Sequence, residues 1–328
     1  MEPKKKIVLS GMRPTGELHL GHLVGALENW VKLQDEYQTF YMVADWHAIS
    51  TAYEDKLDLP NLKLEIIADW LACGIDPQRS AIFIQSAVKE HSELHLLLSM
   101  ITPLAWVERN PSFKETIQQL SSKNISTYGF LGYPVLQAAD ILLYLADLVP
   151  VGIDQLPHLE LAREIVRRFN YLYSDTFVEP QPLLTNTPKL SGIDKRKMSK
   201  SYGNCINLSE TEQSLKTKIN SMITDPARIK REDKGHPEVC TVFEYHSCFN
   251  KSEVSQISED CRAAKIGCVQ CKKNLFEKLN DLITPIRVKR SELLAKPDDL
   301  KDIINDGNKK ARNAASATME IVRKNMNL

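Results

Sequence analysis

Residues 6–22 read KIVLSGMRPTGELHLGH, and this stretch decides the fold. Its first five residues predict a short buried strand, because an apolar run is closed by Gly11. A helix is expected from Gly21 to about Tyr37, since apolar residues recur there at helical spacing. The loop between strand and helix therefore lies at the carboxyl end of a strand, where open parallel sheets bind their ligands.

The same alternation of strand and helix continues along the chain. Further strands are predicted within 39–49, at 81–85 and at 148–152, and helices at 61–73, 134–145 and 156–170. Strands that alternate with helices form parallel sheets covered on both faces, so the expected fold class is α/β with a doubly wound, Rossmann-like sheet. Helices dominate after about residue 205. We expect a nucleotide-binding catalytic domain over 1–205 and a helical domain over 206–328.

Composition narrows the class of protein. The chain has 328 residues, of which 43% are hydrophobic and 26% charged, values that exclude disordered, collagen-like and coiled-coil chains. Its formal net charge is zero, yet residues 1–180 hold 15 basic and 23 acidic side chains, whereas residues 181–328 hold 27 and 19. This asymmetry indicates that the second part contacts a polyanion such as a nucleic acid.

The sequence predicts neither export nor membrane insertion. The apolar stretch that follows the N-terminal lysines covers only residues 7–9, which is too short for a signal peptide. The most apolar region, 138–153, contains Asp140 and Asp147 and falls short of the roughly 20 residues that a membrane span requires. We expect a cytoplasmic protein without a membrane partner. The odd count of seven cysteines then disfavours a disulfide framework and favours a metal or catalytic use.

The first motif is His19-Leu20-Gly21-His22, at the start of the predicted helix. A helix N-terminus offers unpaired backbone N–H groups and the positive end of a dipole, both suited to a phosphate. Imidazole N–H groups add further donors. The alternative interpretation of this short motif, taken alone, is a Gly/Pro loop with two surface histidines.

The second motif occupies residues 192–204, GIDKRKMSKSYGN. Its four cations, at positions 195, 196, 197 and 200, alternate with small hydroxyl side chains and lie between glycines. Such a loop can bring ammonium groups onto a polyphosphate and stabilise charge that develops in a transition state. The alternative is a solvated basic loop.

The third motif is a set of four cysteines within 32 residues, Cys240, Cys261, Cys268 and Cys271. A Cys-x2-Cys pair places two thiolates on one metal, and two further thiolates complete a four-sulfur site. The spacing leaves zinc and an iron-sulfur cluster open, and Cys248 is an additional cysteine that could substitute as a ligand. The alternative is a chance clustering of buried apolar cysteines.

Together the motifs resemble a known family. The first resembles the HIGH signature, and residues 197–201, KMSKS, match the second signature of class I aminoacyl-tRNA synthetases letter for letter. Four further segments resemble bacterial tryptophanyl-tRNA synthetases, and one departure is Ile153, where family members usually have Glu. These segments are SGMRPTG at 10–16, GHLVGAL at 21–27, YPVLQAADIL at 133–142 and VPVGIDQ at 149–155.

The resemblance implies a tryptophan–tRNA ligase that activates L-tryptophan with ATP and Mg²⁺ and transfers it to tRNA(Trp). It implies that His19, His22, Lys197 and Lys200 act in catalysis. It also implies a homodimer and a helical domain that meets the anticodon. The ATP-binding residues implied by the resemblance are Arg13, Pro14, Thr15, Gly21, His22, Gly152, Ile153, Asp154, Leu190, Lys197, Met198, Ser199, Lys200 and Ser201.

Asp140 is the residue predicted to read the tryptophan side chain. A buried carboxylate that accepts the indole N–H can reject an analogue without that donor by about 10⁴–10⁵. The alternative is an aspartate near a helix start, flanked by apolar residues. Tyr133, His47 and Gln155 are further candidates for the same pocket, although each could equally be a polar residue of the core or rim.

Two other functions stay open at this stage. A tyrosyl-tRNA synthetase shares the fold and both signatures, and a phenol also donates to Asp140. A non-catalytic nucleic-acid-binding protein with a metal cluster is the alternative from another class. A subgroup of the resembled family has a similar cysteine set with a [4Fe–4S] cluster, so the resemblance implies that cofactor, with zinc as the alternative.

Overall fold

The computed structural model describes residues 5–111, 127–184, 190–198 and 202–328. The chain forms two compact units. The first consists of Met1–Gly16, Asn29–Thr185 and Lys296–Leu328, and the second of Glu17–Glu28 and Asn186–Ala295. This division differs from the expected domains 1–205 and 206–328, because the HIGH-like motif belongs with the second unit and the last helix with the first.

A five-stranded parallel sheet forms the centre of the first unit. Its strands are β1 (Ile7–Met12), β2 (Gln38–Val43), β3 (Ser80–Ile84), β4 (Leu148–Val151) and β5 (Gln181–Leu184), in the spatial order β3-β2-β1-β4-β5. The predicted α/β class is confirmed. The strand order reverses between β1 and β4, and such a reversal is where doubly wound sheets bind ligands.

The helices surround this sheet and build the second unit. The tight segments between them include 3-10 turns at Gln85–Ala87, Ile153–Gln155 and Pro237–Val239. In chain order the helices are α1 (Leu20–His22), a π-helical turn (Leu23–Leu27), α2 (Glu28–Glu36), α3 (Asp45–Ala52), α4 (Leu59–Ala72), α5 (Glu90–Ile101), α6 (Leu104–Glu108), α7 (Tyr128–Leu131), α8 (Tyr133–Leu143), α9 (Leu156–Leu172), α10 (Glu212–Ser221), α11 (Thr241–Phe249), α12 (Val254–Arg262), α13 (Cys268–Leu294) and α14 (Pro297–Met326).

Helix α14 packs against β3, which explains why the last helix belongs to the sheet unit. A Cβ atom added to Gly307 would lie 1.7 Å from the carbonyl oxygen of Ile82, so only glycine permits this close approach. The Ile84 N–H donates to Asn308 Oδ1 at 2.9 Å. Because β3 is an edge strand, α14 covers backbone groups that would otherwise be open to pairing.

The second unit joins two distant segments of the chain. His19 forms an antiparallel bridge with Asn207, and the flanking backbone hydrogen bonds are Leu20 N to Ile206 O, 3.0 Å, and Leu208 N to Leu18 O, 2.9 Å. This pairing places the HIGH-like motif beside the segment that follows the KMSKS motif. None of the helices in the described ranges is long and apolar enough to cross a membrane.

Candidate active site and cysteine site

Asp140, on α8, lies at the centre of a buried hydrogen-bond cluster in the first unit. Its carboxylate is 2% exposed. Oδ2 lies 2.7 Å from His47 Nε2, and Oδ1 lies 2.7 Å from His91 Nδ1. Gln85 Nε2 donates to both oxygens at 2.9 Å. Both oxygens of Asp140 therefore already have protein partners.

The cluster keeps Asp140 ionised. Burial alone would raise the pKa of this carboxyl, but the charge and hydrogen bonds of His47 and His91 outweigh burial and hold the pKa at about 2. Tyr144 extends the cluster, with its hydroxyl 2.8 Å from His91 Nε2. Burial raises the pKa of Tyr144 well above its usual value, so the phenol stays protonated.

Three of the four residues predicted for the tryptophan pocket come together. The His47 and Tyr133 rings meet edge to face with their centroids 4.6 Å apart, next to Asp140. Gln155 instead donates to Asp154 Oδ2 at 3.0 Å. Two buried polar atoms beside the cluster have no protein partner, His47 Nδ1 and Gln137 Oε1. Buried unpaired groups are uncommon, and a bound polar ligand is one way to satisfy them.

The Tyr133 ring also meets the His158 ring edge to face, with ring centroids 5.5 Å apart. Burial lowers the pKa of His158 to about 4, so this imidazole is neutral near pH 7. A neutral ring adds no positive charge beside the carboxylate of Asp140. Tyr133 thus contacts two imidazoles, those of His47 and His158.

The loop after β1 contains three of the predicted ATP-binding residues, Arg13, Pro14 and Thr15. Pro14 is buried, the Thr15 N–H donates to the Arg13 carbonyl at 2.9 Å, and Arg13 Nη1 donates to Thr51 Oγ1 at 3.2 Å. Gly16 has a φ of 115°, a conformation that favours glycine. The Arg13 side chain is therefore fixed at this end of the sheet.

The loop after β4 lies on the other side of the strand-order reversal. Gly152 precedes the 3-10 turn, and a Cβ atom there would lie 2.7 Å from Asp154 Oδ1. Ile153 is 77% exposed, which leaves its side chain free to contact a ligand. The two predicted nucleotide loops of the first unit thus follow β1 and β4, the two strands that flank the reversal.

In the second unit the two signatures approach each other. The His19 N–H donates to His22 Nδ1 at 3.1 Å, and the two rings are 3.8 Å apart. A Cβ atom added to Gly21 would lie 3.3 Å from Met198 Sδ. The absence of a side chain at Gly21 therefore allows the first residues of the KMSKS motif to lie against the start of α1.

The base of the KMSKS loop is a short two-stranded arm. Ser191 bridges Lys197 in antiparallel fashion, and Asn204 Nδ2 donates to the Lys197 carbonyl at 3.2 Å. Lys197 is exposed, and Leu190, the first residue of the arm, is half-buried. The predicted residues Ser199, Lys200 and Ser201 lie outside the described residues.

The four predicted cysteine ligands line one cavity in the second unit. Arg228 also lines the cavity, with Nη1 3.8 Å from Cys261 Sγ. None of the seven cysteines, all of which lie within the described residues, forms a disulfide, and Cys248 does not line this cavity. These four residues, Cys240, Cys261, Cys268 and Cys271, supply the donor type that a four-thiolate group requires.

Burial and nearby thiols raise the pKa values of three cysteines in this cavity, Cys240, Cys261 and Cys271. Burial is the larger cause for Cys271, whose pKa rises to about 12, and the neighbouring cysteines add to it. The pKa values of Cys240 and Cys261 are raised for the same two reasons. Within the described ranges, the side chains do not form a group of three or more His, Cys, Asp or Glu arranged for a single metal ion.

Comparison with known proteins identifies the family. The sequence profile described as tRNA synthetases class I (W and Y) matches residues 1–284. The chain belongs to this family. The predicted enzyme class of this synthetase, an aminoacyl-tRNA synthetase, is thereby confirmed.

Relatives of the synthetase match it over nearly its whole length. A tryptophan–tRNA ligase of Thermotoga maritima is 54% identical over 324 residues, which cover 98% of this chain and 99% of the relative. The corresponding ligase of Aquifex aeolicus is 44% identical over 392 residues, with coverage of 98% and 99%. The crystal structure of Campylobacter jejuni tryptophanyl-tRNA synthetase complexed with ADP and tryptophan superposes with a TM-score of 0.89 at 35% identity, covering 98% of this chain and 100% of that one.

Three members of the Asp140 cluster in this synthetase were missing from the sequence prediction: Gln85, His91 and Tyr144. Gln85 directly follows β3 and His91 lies in the first turn of α5, so both occur just after the carboxyl end of a strand. That position was an available signal, since polar residues at this edge of a parallel sheet commonly line a site. Gln85 Oε1 also accepts the Trp46 N–H at 3.1 Å, which fixes the amide that binds Asp140.

Proposed function

We propose that this synthetase carries out both steps of tryptophan–tRNA ligation at the residues described above. In the first step the carboxylate of L-tryptophan attacks the α-phosphate of ATP, which forms tryptophanyl-adenylate and releases pyrophosphate. In the second step the tryptophanyl group passes to the 3′ end of tRNA(Trp), which releases AMP. Mg²⁺, when bound to ATP, shares the charge of the phosphates.

The predicted activity, tryptophan–tRNA ligase, is confirmed by the comparisons. The observation that carries it is the 54% identity to a tryptophan–tRNA ligase over 98% of this chain. Relatives with the same name at 44% and 40% identity also cover 98% of the chain. The two alternatives from the sequence, a tyrosine-specific enzyme and a non-catalytic nucleic-acid-binding protein, have no comparable support.

The Asp140 cluster is proposed as the pocket for the tryptophan side chain. Asp140 stays ionised and buried, and Tyr133 and His47 stand beside it. Because both oxygens of Asp140 already accept hydrogen bonds, an indole N–H would share an oxygen with an existing donor. The unpaired atoms His47 Nδ1 and Gln137 Oε1 are available for further polar contacts with the substrate. Gln155 stays a proposed contact, supported by the resemblance alone.

The phosphate-binding role is proposed for the two signatures. His19 and His22 lie at the start of α1, where imidazole N–H groups and backbone donors suit phosphate oxygens. Exposed Lys197 and the sequence match at Lys200 support ammonium contacts with the pyrophosphate as it leaves. Arg13, Pro14, Thr15, Gly152, Ile153 and Asp154, with Gly21, Leu190, Met198, Ser199 and Ser201, complete the proposed ATP contacts.

A [4Fe–4S] cluster is proposed as the group held by Cys240, Cys261, Cys268 and Cys271. Support comes from their common cavity and from the resemblance to the iron-sulfur subgroup. Iron and acid-labile sulfide analysis of protein purified without oxygen tests this cofactor, with about four of each expected per chain for such a cluster. Stoichiometric zinc without iron would replace the proposal with a zinc site.

Three wider properties are proposed on family grounds. These are a homodimer, a cytoplasmic location and an anticodon-binding role for the helices within 206–328. Support for the last is the excess of basic over acidic side chains in the second part of the chain. Sedimentation of the purified protein tests the dimer, and loss of tRNA binding with added salt tests the electrostatic contact.

The decisive experiment for the function is amino-acid-dependent ATP–pyrophosphate exchange with a panel of amino acids. We expect exchange with tryptophan and a negligible rate with tyrosine or phenylalanine. Aminoacylation of tRNA(Trp) by the same preparation tests the second step. Exchange that depends on tyrosine, or no exchange at all, would overturn the proposal.

A further inference from the structure

The arm at the base of the KMSKS loop, residues 190–198, is held by backbone pairing of its own. Ser191 bridges Lys197, and the Gly192 N–H donates to the Arg196 carbonyl at 2.8 Å. These bonds fix the shape of the arm but do not fix its direction relative to the rest of the second unit. Contacts from outside the arm are needed for that.

Helix α11 supplies two such contacts, both to Ser191. Glu244 Oε1 accepts the Ser191 N–H at 2.5 Å, and the Tyr245 hydroxyl donates to the Ser191 carbonyl at 2.8 Å. Adjacent side chains of one helix thus bind both backbone polar groups of a single residue. Lys195 Nζ adds a bond to the carbonyl of Val239, just before α11, at 3.0 Å.

Helix α11 is itself firmly placed, so it can act as a fixed support. The Tyr245 side chain is fully buried, with 0% exposure. His246 is also fully buried, and its Nε2 lies 3.1 Å from the carbonyl oxygen of Cys271 on α13. Hydrogen bonds from a buried, packed helix can therefore orient the exposed arm that carries Lys197.

We propose that Glu244 and Tyr245 are positioning residues that orient the KMSKS loop for adenylate formation. This inference rests on the proposed function, since the loop is assigned to the phosphates of ATP there. Neither side chain touches ATP in this proposal. They act through Ser191, whose backbone groups help to set the direction of the arm as far as Lys197, together with the backbone bonds of Ile193 to Asn204 and Ile223. Ground-state binding of tryptophan does not depend on this contact.

Three substitutions separate positioning from a general role in folding. Glu244→Ala removes the acceptor for the Ser191 N–H, Glu244→Gln keeps an amide oxygen at the same place, and Tyr245→Phe removes the hydroxyl alone. Ser247→Ala is the matched control, because Ser247 is exposed on α11 and bonds only within its helix, to the Phe243 carbonyl. Each variant is compared with the unaltered chain by thermal unfolding.

Tryptophan-dependent exchange is the first readout. We expect kcat to fall about 10-fold in Glu244→Ala and about 3-fold in Tyr245→Phe, the range for losing one hydrogen bond. The KM for tryptophan should change by less than about 2-fold, because the lost contact stabilises the transition state and not the bound tryptophan. Glu244→Gln restores most of the rate, and Ser247→Ala matches the unaltered chain.

Amide hydrogen exchange of a peptide that covers residues 190–198 is the second readout, and it needs no catalysis. We expect faster exchange in Glu244→Ala and Tyr245→Phe than in Ser247→Ala at equal melting temperature. Unchanged kcat together with unchanged amide exchange would overturn the inference. Parallel losses of kcat, tryptophan binding and thermal stability would also overturn it, because they indicate a folding defect. If the unaltered chain shows no ATP–pyrophosphate exchange, the proposed function is contradicted. Amide hydrogen exchange would then still decide whether Glu244 and Tyr245 hold the arm.

Discussion

The Asp140 cluster and the KMSKS arm are both proposed to act on the substrates, yet they are built in opposite ways. Asp140 is 2% exposed and bonded to three side chains from separate elements. Lys197 is exposed at the end of a two-stranded arm that is tied down through Ser191. The pocket is thus part of the hydrophobic core of the first unit. The arm, in contrast, carries an exposed lysine and is hydrogen-bonded to the packed helix α11. Substitutions in the pocket should therefore change stability and activity together, and those in the loop should change activity alone.

The largest expected effect is on stability, from Asp140→Ala. This change leaves the donors of His47, His91 and Gln85 buried without an acceptor, and breaking a buried charged pair in this way costs about 3–5 kcal/mol. Urea unfolding monitored by fluorescence measures the loss. A matched loop variant is Asp194→Ala, whose carboxylate accepts hydrogen bonds from Asn204 and Arg196 at the surface, and it should unfold almost like the unaltered chain. Equal losses of unfolding free energy in Asp140→Ala and Asp194→Ala would contradict the contrast between the buried pocket and the exposed arm.

The same carboxylate gives the stability a defined pH dependence. The pKa of Asp140 is about 2 in the folded chain and 3.8 in its ordinary state. Because the folded pKa is the lower one, the ionised form stabilises the fold above about pH 4, and this contribution is lost as pH falls towards 2. Unfolding measured from pH 5 to pH 2.5 should show this decline, and the slope should be shallower in Asp140→Asn.

The second largest effect is on catalysis, from Lys200→Ala. An ammonium group that stabilises charge only in the transition state should lower the adenylation rate by about 10²–10³ when removed, with little change in tryptophan binding. Single-turnover adenylate formation and tryptophan binding by fluorescence separate the two quantities. Lys251→Ala, at an exposed lysine of the same unit, is the control. A rate unchanged by Lys200→Ala would remove the loop from the proposed chemistry.

A smaller effect is expected from a tryptophan isostere in which sulfur replaces the indole N–H. The sequence alone predicts strong rejection, because an unpaired carboxylate would be left behind. In the structure His47, His91 and Gln85 already satisfy that carboxylate. The loss is then one hydrogen bond to a charged group, and we expect kcat/KM in the exchange reaction to fall about 10- to 100-fold. A fall of 10⁴ or more would mean that Asp140 exchanges its partners when the substrate binds.

The sequence predicts the parts of this molecule that depend on local pattern. The strand predicted at 6–10, which the structure has at Ile7–Met12, the loop after it and the cysteine set are all predicted from neighbouring residues. The partners of Asp140 are not local, since His47, Gln85 and His91 lie 93, 55 and 49 positions away along the chain. Only the strand order brings them to one edge of the sheet. Their residue types gave no hint of which carboxylate they would bind.

Helix α14 shows the same limit for the division of the chain. The sequence predicts helices after about residue 205, and α14 is one of them, but its packing partner is β3, and the bond from Ile84 to Asn308 spans 224 positions. The available signal was the spacing of Gly307, Ala311 and Ala315, small residues at every fourth position that allow a helix to lie close to a strand. Helical periodicity predicts that one face of a helix is buried, but it does not predict which element that face packs against.

The smallest effect on tryptophan activation is expected from Cys268→Ser. This variant compares the cysteine site with the Asp140 cluster and with the KMSKS arm. Serine removes one of the four thiolates, so iron content should fall, and aminoacylation of tRNA(Trp) should fall more than ATP–pyrophosphate exchange. A small loss of exchange is expected as well, because α11 starts directly after Cys240 and holds Ser191 through Glu244 and Tyr245. Cys73→Ser, a cysteine of the first unit that does not line the cavity, is the matched control. Equal losses of tRNA aminoacylation and of ATP–pyrophosphate exchange would show instead that the cysteine site supports the whole second unit. In that case substitutions near the arm, like those in the Asp140 pocket, would lower stability and activity together.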